Sequence, residues 1–110
     1  MRGVNAETLK GHLELLLMSA LQRGPAHGYA IAALLRERSD ATFDLPEGTL
    51  YPALHRLEHA GLVTSRWDDA SGRRRRVYQL TAKGRRVLAQ RESEWRQFAR
   101  AVFAVVGGAG

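Results

Sequence analysis

Residues 46–63 read PEGTLYPALHRLEHAGLV, and ten residues further on comes Arg73-Arg74-Arg75-Arg76. Leu50, Leu54 and Leu57 recur at helical spacing and form a stripe suited to burial. Pro52 decides where that helix begins. A proline in a helix interior costs about 3 kcal/mol, whereas in the first turn its missing N–H would be unbonded anyway. The helix is therefore expected to start close to Gly48 or Thr49, with Pro52 in its first turn and Thr49 as the N-cap. Gly61 supplies the stop. Leu62 to Trp67, rich in Val, Thr and Trp, reads as a strand. Asp68-Asp69-Ala70-Ser71-Gly72 reads as a turn, and Arg75 to Leu80 as the returning strand.

Upstream, Thr8 can cap a helix beginning at Leu9 that carries Leu9, Leu13, Leu16, Leu17, Ala20 and Leu21 on one face. Leu15 and Met18 widen that apolar arc, and Gly24-Pro25 ends the helix. A second helix is expected over about Gly28 to Arg38, with Ile31, Leu34 and Leu35 facing in and Arg36 and Arg38 at its negative end. Downstream, Thr81 caps a last helix from about Ala82 to Val106. Leu88, Trp95 and Val102 fall at heptad intervals on it, with Phe98 and Val105 on the neighbouring row and a polar break at Arg91. The expected fold class is mainly α (α+β): a winged helix-turn-helix of three helices plus a two-stranded wing, then a long C-terminal helix. The expected domain over residues 1–81 binds DNA, residues 82–106 form a dimerisation helix, and 107–110 a flexible tail. So small a domain leaves the last helix without an internal partner, and its seam is most simply buried against a second copy.

Composition narrows the function. At 110 residues there is room for one modest core. A net charge of +6 and a pI near 10.7 suggest a polyanionic partner, nucleic acid before membrane. Of the 17 basic residues 11 lie from Arg66 onward, against four acids there, so the wing and last helix form the basic half. The absence of cysteine excludes disulfide and thiolate-metal frameworks. The first residues do not read as a signal peptide, and no segment is apolar enough to span a bilayer, so a cytoplasmic protein without membrane contact is expected. His55 and His59 share a helix face, but no third ligand cluster accompanies them and no metal or cofactor is expected. No nucleophile–base pattern, glycine-rich phosphate loop or paired carboxylate points to an enzyme.

Several side chains are candidates for DNA contact. The major groove accepts one α-helix, read from near its N-terminus. Thr49 and Tyr51 offer hydroxyls to phosphate oxygens; Thr49 also serves as a cap, and Tyr51 could instead pack beside the wing. His55 and Arg56 are placed to reach bases or backbone, and for His55 the sequence leaves both readings open. Four successive arginines repel one another, so an unliganded fold gains little from Arg73 to Arg76, whereas the phosphate backbone or the minor groove gains much. Strand alternation sends neighbouring members to opposite sides. Arg96 and Arg100 read as the solvated face of a long helix, Trp67 as structural, and Trp95 as interface packing.

These segments together resemble a PadR-family transcriptional regulator of the short subfamily, with a single C-terminal helix. The resemblance rests on Leu13 to Leu21, the Gly24-Pro25-Ala26-His27-Gly28-Tyr29 turn, and the Gly48-Thr49-Leu50-Tyr51-Pro52-Ala53-Leu54 helix start. Leu57-Glu58, Gly61-Leu62-Val63, the Gly72-Arg73 wing tip, Tyr78 and Thr81-Ala82-Lys83-Gly84 extend it. It implies a homodimeric repressor on a roughly palindromic operator, often beside detoxification, efflux or phenolic-acid metabolism genes. It places Thr49, Tyr51 and Arg73 or Arg74 at double-stranded DNA, with Tyr29 and Lys10 as further phosphate contacts, while Arg75 is a candidate from the wing run itself. In some short members a small planar effector enters an apolar space between the first and last helices, where Met18 and Trp95 are the matching positions here. The arginine-dense wing departs from the family pattern and favours backbone binding. The competing reading is a winged-helix protein-interaction module that does not read DNA.

Overall fold

A computed structural model of the chain describes residues 6–70 and 72–107. Its elements run α1 (Ala6–Ala20), β1 (Ala26–His27), α2 (Gly28–Arg38), α3 (Glu47–His59), β2 (Val63–Asp68), β3 (Arg75–Leu80) and α4 (Ala82–Val106). The mainly helical architecture with a small wing is the one expected. Residues 108–110 of the expected tail and Ser71 of the expected turn lie outside the described residues.

The core is assembled from Leu13, Leu17 and Leu21 of the first helical segment, Ile31 and Leu35 of α2, Leu50, Leu54 and Leu57 of α3, and Val63, Tyr78 and Leu80 of the sheet. Each set follows the helical or alternating spacing of its element. α1 begins at Ala6, so Thr8 lies inside it and is not its cap. No helix among the described residues is long and apolar enough to cross a membrane.

Three expectations are corrected, the Thr8 cap being the first. The expected two-stranded wing is present as β2 and β3, and a short third strand that the sequence did not signal joins it in the order β1-β3-β2. Ala26 pairs with Tyr78 and His27 with Val77, both antiparallel. A two-residue strand has no periodicity to read, and Gly24-Pro25 marks only a turn. The second correction concerns α3. Its N-cap is Pro46, whose carbonyl accepts the Thr49 and Leu50 N–H groups at 2.9 and 3.0 Å, and no side chain caps it. Thr49 is therefore inside the first turn, and Pro52 lies one turn deeper than its chemistry alone suggests. The Gly48 carbonyl loses its ordinary partner four residues on; Gly48 and Pro52 are both exposed, so water can take that place.

The third correction concerns burial. Leu88 is 2 % exposed and Met18 fully buried, both within the chain's own core. Neither has surface left to offer a second copy or a ligand. The apolar seam of α4 begins only beyond them, at Trp95.

α3 and α4 are tied together. The Leu62 N–H reaches the Leu57 carbonyl at 2.9 Å and the Gly61 N–H the Glu58 carbonyl at 3.0 Å, closing α3 with a left-handed Gly61 at φ +79°. The Thr81 hydroxyl donates to the Gly61 carbonyl at 2.7 Å and accepts the Gly84 N–H at 2.9 Å, so one side chain joins the end of α3 to the cap of α4. Lys83 Nζ donates to the Ala60 carbonyl at 3.0 Å. The far end of α4 extends away from the core, which gives the molecule extents of 53 × 31 × 21 Å.

Candidate nucleic-acid interface

An open groove runs between the N-terminus of α2, the exposed face of α3 and the wing. Its lining brings together Tyr29, Tyr51, His55 and Arg73 to Arg76, with His27, Gly28, Trp67 and Tyr78. Residues far apart in sequence converge here because β1 brings the start of α2 onto β3, the wing's second strand.

The tyrosines take different postures. Tyr29, in the first turn of α2, is 73 % exposed. Tyr51 is half-buried, with its ring over Gly28; a Cβ there would stand 2.5 Å from the Tyr51 hydroxyl oxygen. The two readings of Tyr51 therefore coexist, since the same ring packs at the core's edge and lines the groove.

The wing arginines divide by strand parity. Arg74 and Arg76 share a face with Trp67, which pairs with Arg76 across the ribbon. Their guanidinium carbons stand 4.7 and 5.0 Å from the Trp67 ring centroid. Arg76 Nε donates to Ser65 Oγ at 2.9 Å, and Ser65 Oγ donates to Glu58 of α3 at 2.7 Å. Arg75 turns to the other face, its Nη1 2.7 Å from His27 Nε2. His27 Nδ1 also stands 3.3 Å from the Ala30 N–H at the start of α2. A neutral imidazole has one bare nitrogen, so His27 accepts at only one of these places at a time. The shorter, charge-assisted contact with Arg75 has the stronger claim.

Not every expected residue joins the groove. Thr49 is half-buried outside its lining. Arg56 lies on another flank of α3, in a concavity with Glu14, Arg91 and Trp95. A one-residue step along a helix turns a side chain by about 100°, which separates Arg56 from His55. Lys10 lies on α1, and its side chain falls outside the described residues. Trp67 and His27 were missed as groove residues. Trp67's place opposite Arg76 depends on the register of the folded ribbon, which the sequence does not show.

Burial pushes the Tyr78 hydroxyl above its ordinary pKa, with Glu58 and Tyr51 adding to the shift and Arg76 opposing it. Among the described residues no group of three or more His, Cys, Asp or Glu side chains could hold a metal ion. What the groove offers is donors: phenol hydroxyls, guanidinium groups and imidazoles, with none of the convergent acid–base geometry of a catalytic centre.

A second surface lies on α4. Trp95, Phe98, Val102, Phe103, Val105 and Val106 are all exposed. Arg91, the polar break in the seam, donates to Glu14 of α1 at 3.0 Å. Beside it, His12, Leu15, Leu16, Ser19 and Phe43 close with Trp95 around an apolar hollow of about 450 Å³. The His12 and Trp95 rings meet edge-on at 6.2 Å.

Residues 17–90 match the Transcriptional regulator PadR-like family. The transcriptional regulator Rv3488 of Mycobacterium tuberculosis is 42 % identical over 72 residues, which cover 66 % of this chain and 67 % of that protein. A PadR family transcriptional regulator from Eggerthella lenta superposes with a TM-score of 0.77 at 35 % identity, covering 91 % of this chain and 86 % of its own. A transcriptional regulator from Clostridium thermocellum gives a TM-score of 0.80 at 28 % identity, with 88 % and 95 % covered.

Proposed function

The chain belongs to the PadR-like family of transcriptional regulators, and from that premise we propose that it is a homodimeric repressor that binds a palindromic operator. The observation that carries the reading is the groove in which Tyr29, Tyr51, His55 and Arg73 to Arg75 converge beside α3. In the proposed complex α3 enters the major groove and the wing lies along the phosphate backbone. Thr49 approaches the backbone from the first turn of α3. Arg56 serves from the helix's other flank, and Lys10 from α1.

Two copies pair through the end of α4, where Trp95, Phe98, Val102 and Val105 would be buried. A symmetric pair sets its two α3 helices roughly 34 Å apart, one turn of B-DNA. The bonds from Thr81 and Lys83 to the end of α3 support a mechanism of release, because a shift of α4 against its partner carries α3 with it. The α1–α4 hollow is within the size range of small-molecule sites, and its apolar lining with one Trp suits a flat effector. Such a ligand releases DNA only to the extent that it binds one subunit arrangement better than the other.

Fluorescence anisotropy with a labelled duplex from the gene's own upstream region, against a scrambled duplex, tests the reading at two salt concentrations. A preference for the native duplex that persists at the higher salt is expected. Equal and steeply salt-dependent affinity for both would reduce the protein to a backbone binder.

A further inference from the structure

Trp67 stands out among the side chains on the wing. It is a large indole, 52 % exposed, on a strand that a domain of this size could finish with any polar residue. Its ring is a shared platform for two cations, Arg74 and Arg76. The two arginines are not equivalent. Arg76 is fixed by Ser65, which is itself fixed by Glu58 of α3. Arg74 is exposed, and among the described residues it pairs with no carboxylate. A ladder thus runs from α3 through Glu58, Ser65, Arg76 and Trp67 to Arg74 at the wing's edge.

We propose that Trp67 is a positioning residue for DNA binding, which holds Arg74 pre-ordered at the groove so that the wing meets the phosphate backbone without first freezing a mobile side chain. The inference rests on the DNA-binding reading above. Its physical basis is the match between a flat guanidinium and an aromatic face. The charge of Arg74 reaches the backbone with or without the indole. The indole removes the ordering cost, which for one long side chain corresponds to roughly three- to tenfold in affinity.

Six proteins measured on one duplex test this: the wild type, Trp67→Leu, Arg74→Ala, their double variant, Trp67→Phe and Arg74→Lys. We expect Trp67→Leu to weaken binding about three- to tenfold, while the slope of log affinity against log salt stays unchanged because Arg74 still reaches a phosphate. Arg74→Ala should lower that slope by about one. In the Arg74→Ala background Trp67→Leu should cost nothing further, since a residue that acts through another is non-additive with it. Trp67→Phe, which keeps an aromatic face, should bind within about twofold of wild type. Full affinity in Trp67→Leu, or additive losses in the double variant, overturns the inference while leaving DNA binding intact. A wild type that binds no duplex overturns the DNA reading itself, and this inference with it. Arg74→Lys keeps the charge and gives up the stacking plane, so wild-type affinity in that surface variant overturns the inference even if Trp67→Leu does not fold.

Discussion

The Leu62 carbonyl oxygen occupies the space that a Cβ on Gly84 would need. The same carbonyl accepts the Thr81 N–H at 3.1 Å, so main chain presses on main chain where α4 starts. Gly84→Ala is expected to destabilise the fold by about 2–3 kcal/mol, because the two nearest atoms, the Leu62 carbonyl oxygen and carbon, are backbone and cannot swing aside, with a Leu80 methyl behind them. For a domain of this size that lowers Tm by roughly 10–20 °C. Thermal unfolding at matched protein concentration reads it, and an unchanged Tm would show that the junction has slack.

Gly28→Ala should behave differently. Here the added methyl meets the Tyr51 ring, which can move. The expected stability loss is about 1 kcal/mol, within the ordinary range of single substitutions. Affinity for the operator should fall roughly tenfold, the worth of one hydrogen bond to a charged phosphate. Tyr51→Phe should show the same loss, and the two should not add. Undiminished binding in both would remove the Tyr51 hydroxyl from the interface.

Tyr78 gives the fold an alkaline limit. Burial raises the pKa of its hydroxyl in the folded chain, while the unfolded chain keeps the ordinary value of about 10. Between those values the native state holds the proton more tightly than the unfolded state does, so stability falls as pH rises. That contribution is in full below about pH 10 and is lost above it. Denaturant midpoints measured from pH 8 to 11 should decline at the alkaline end for wild type and less for Tyr78→Phe. Parallel curves would mean that another group titrates.

Phe98→Glu with Val102→Glu places two charges on the exposed apolar face of α4. Helix formation tolerates them at solvent-exposed positions, whereas a buried interface does not. Sedimentation velocity should show a monomer where wild type shows a dimer, with circular dichroism unchanged. Operator affinity should collapse as well, because a single half-site loses the gain from linkage. A variant that still sediments as a dimer would move the interface elsewhere.

Much of the fold was legible because its signals are local. Gly28 to Arg38, Arg75 to Leu80 and Ala82 to Val106 were bounded as found, since caps and changes of period mark each end. The start of α3 was misread because Pro46 caps it through its carbonyl alone, a bond that leaves no side-chain signature. Leu88 was assigned by spacing, and spacing cannot tell a core facing the same chain from one facing a second copy; Met18 came from the family resemblance, which carries no burial for this chain. Arg56 and His55 are both expected at DNA, but the 100° step between neighbours on a helix sets them on different flanks, and only the fold shows which flank faces the wing. The platform at Trp67 needed the register of β2 against β3, which only the folded ribbon supplies.

The short strand β1 has a consequence for biosynthesis. Its partner Tyr78 leaves the ribosome long after Ala26 does, so the sheet cannot close while the helical segments are already free to form. Contacts so distant along the chain make loop closure the slow part of folding. The emerging polypeptide therefore carries Tyr29, Tyr51, His27 and His55 on an unfinished scaffold, and the nucleic-acid surface comes into existence only as the wing's second strand is completed. Nascent chains truncated before Leu80 should have no such surface, however much helix they contain.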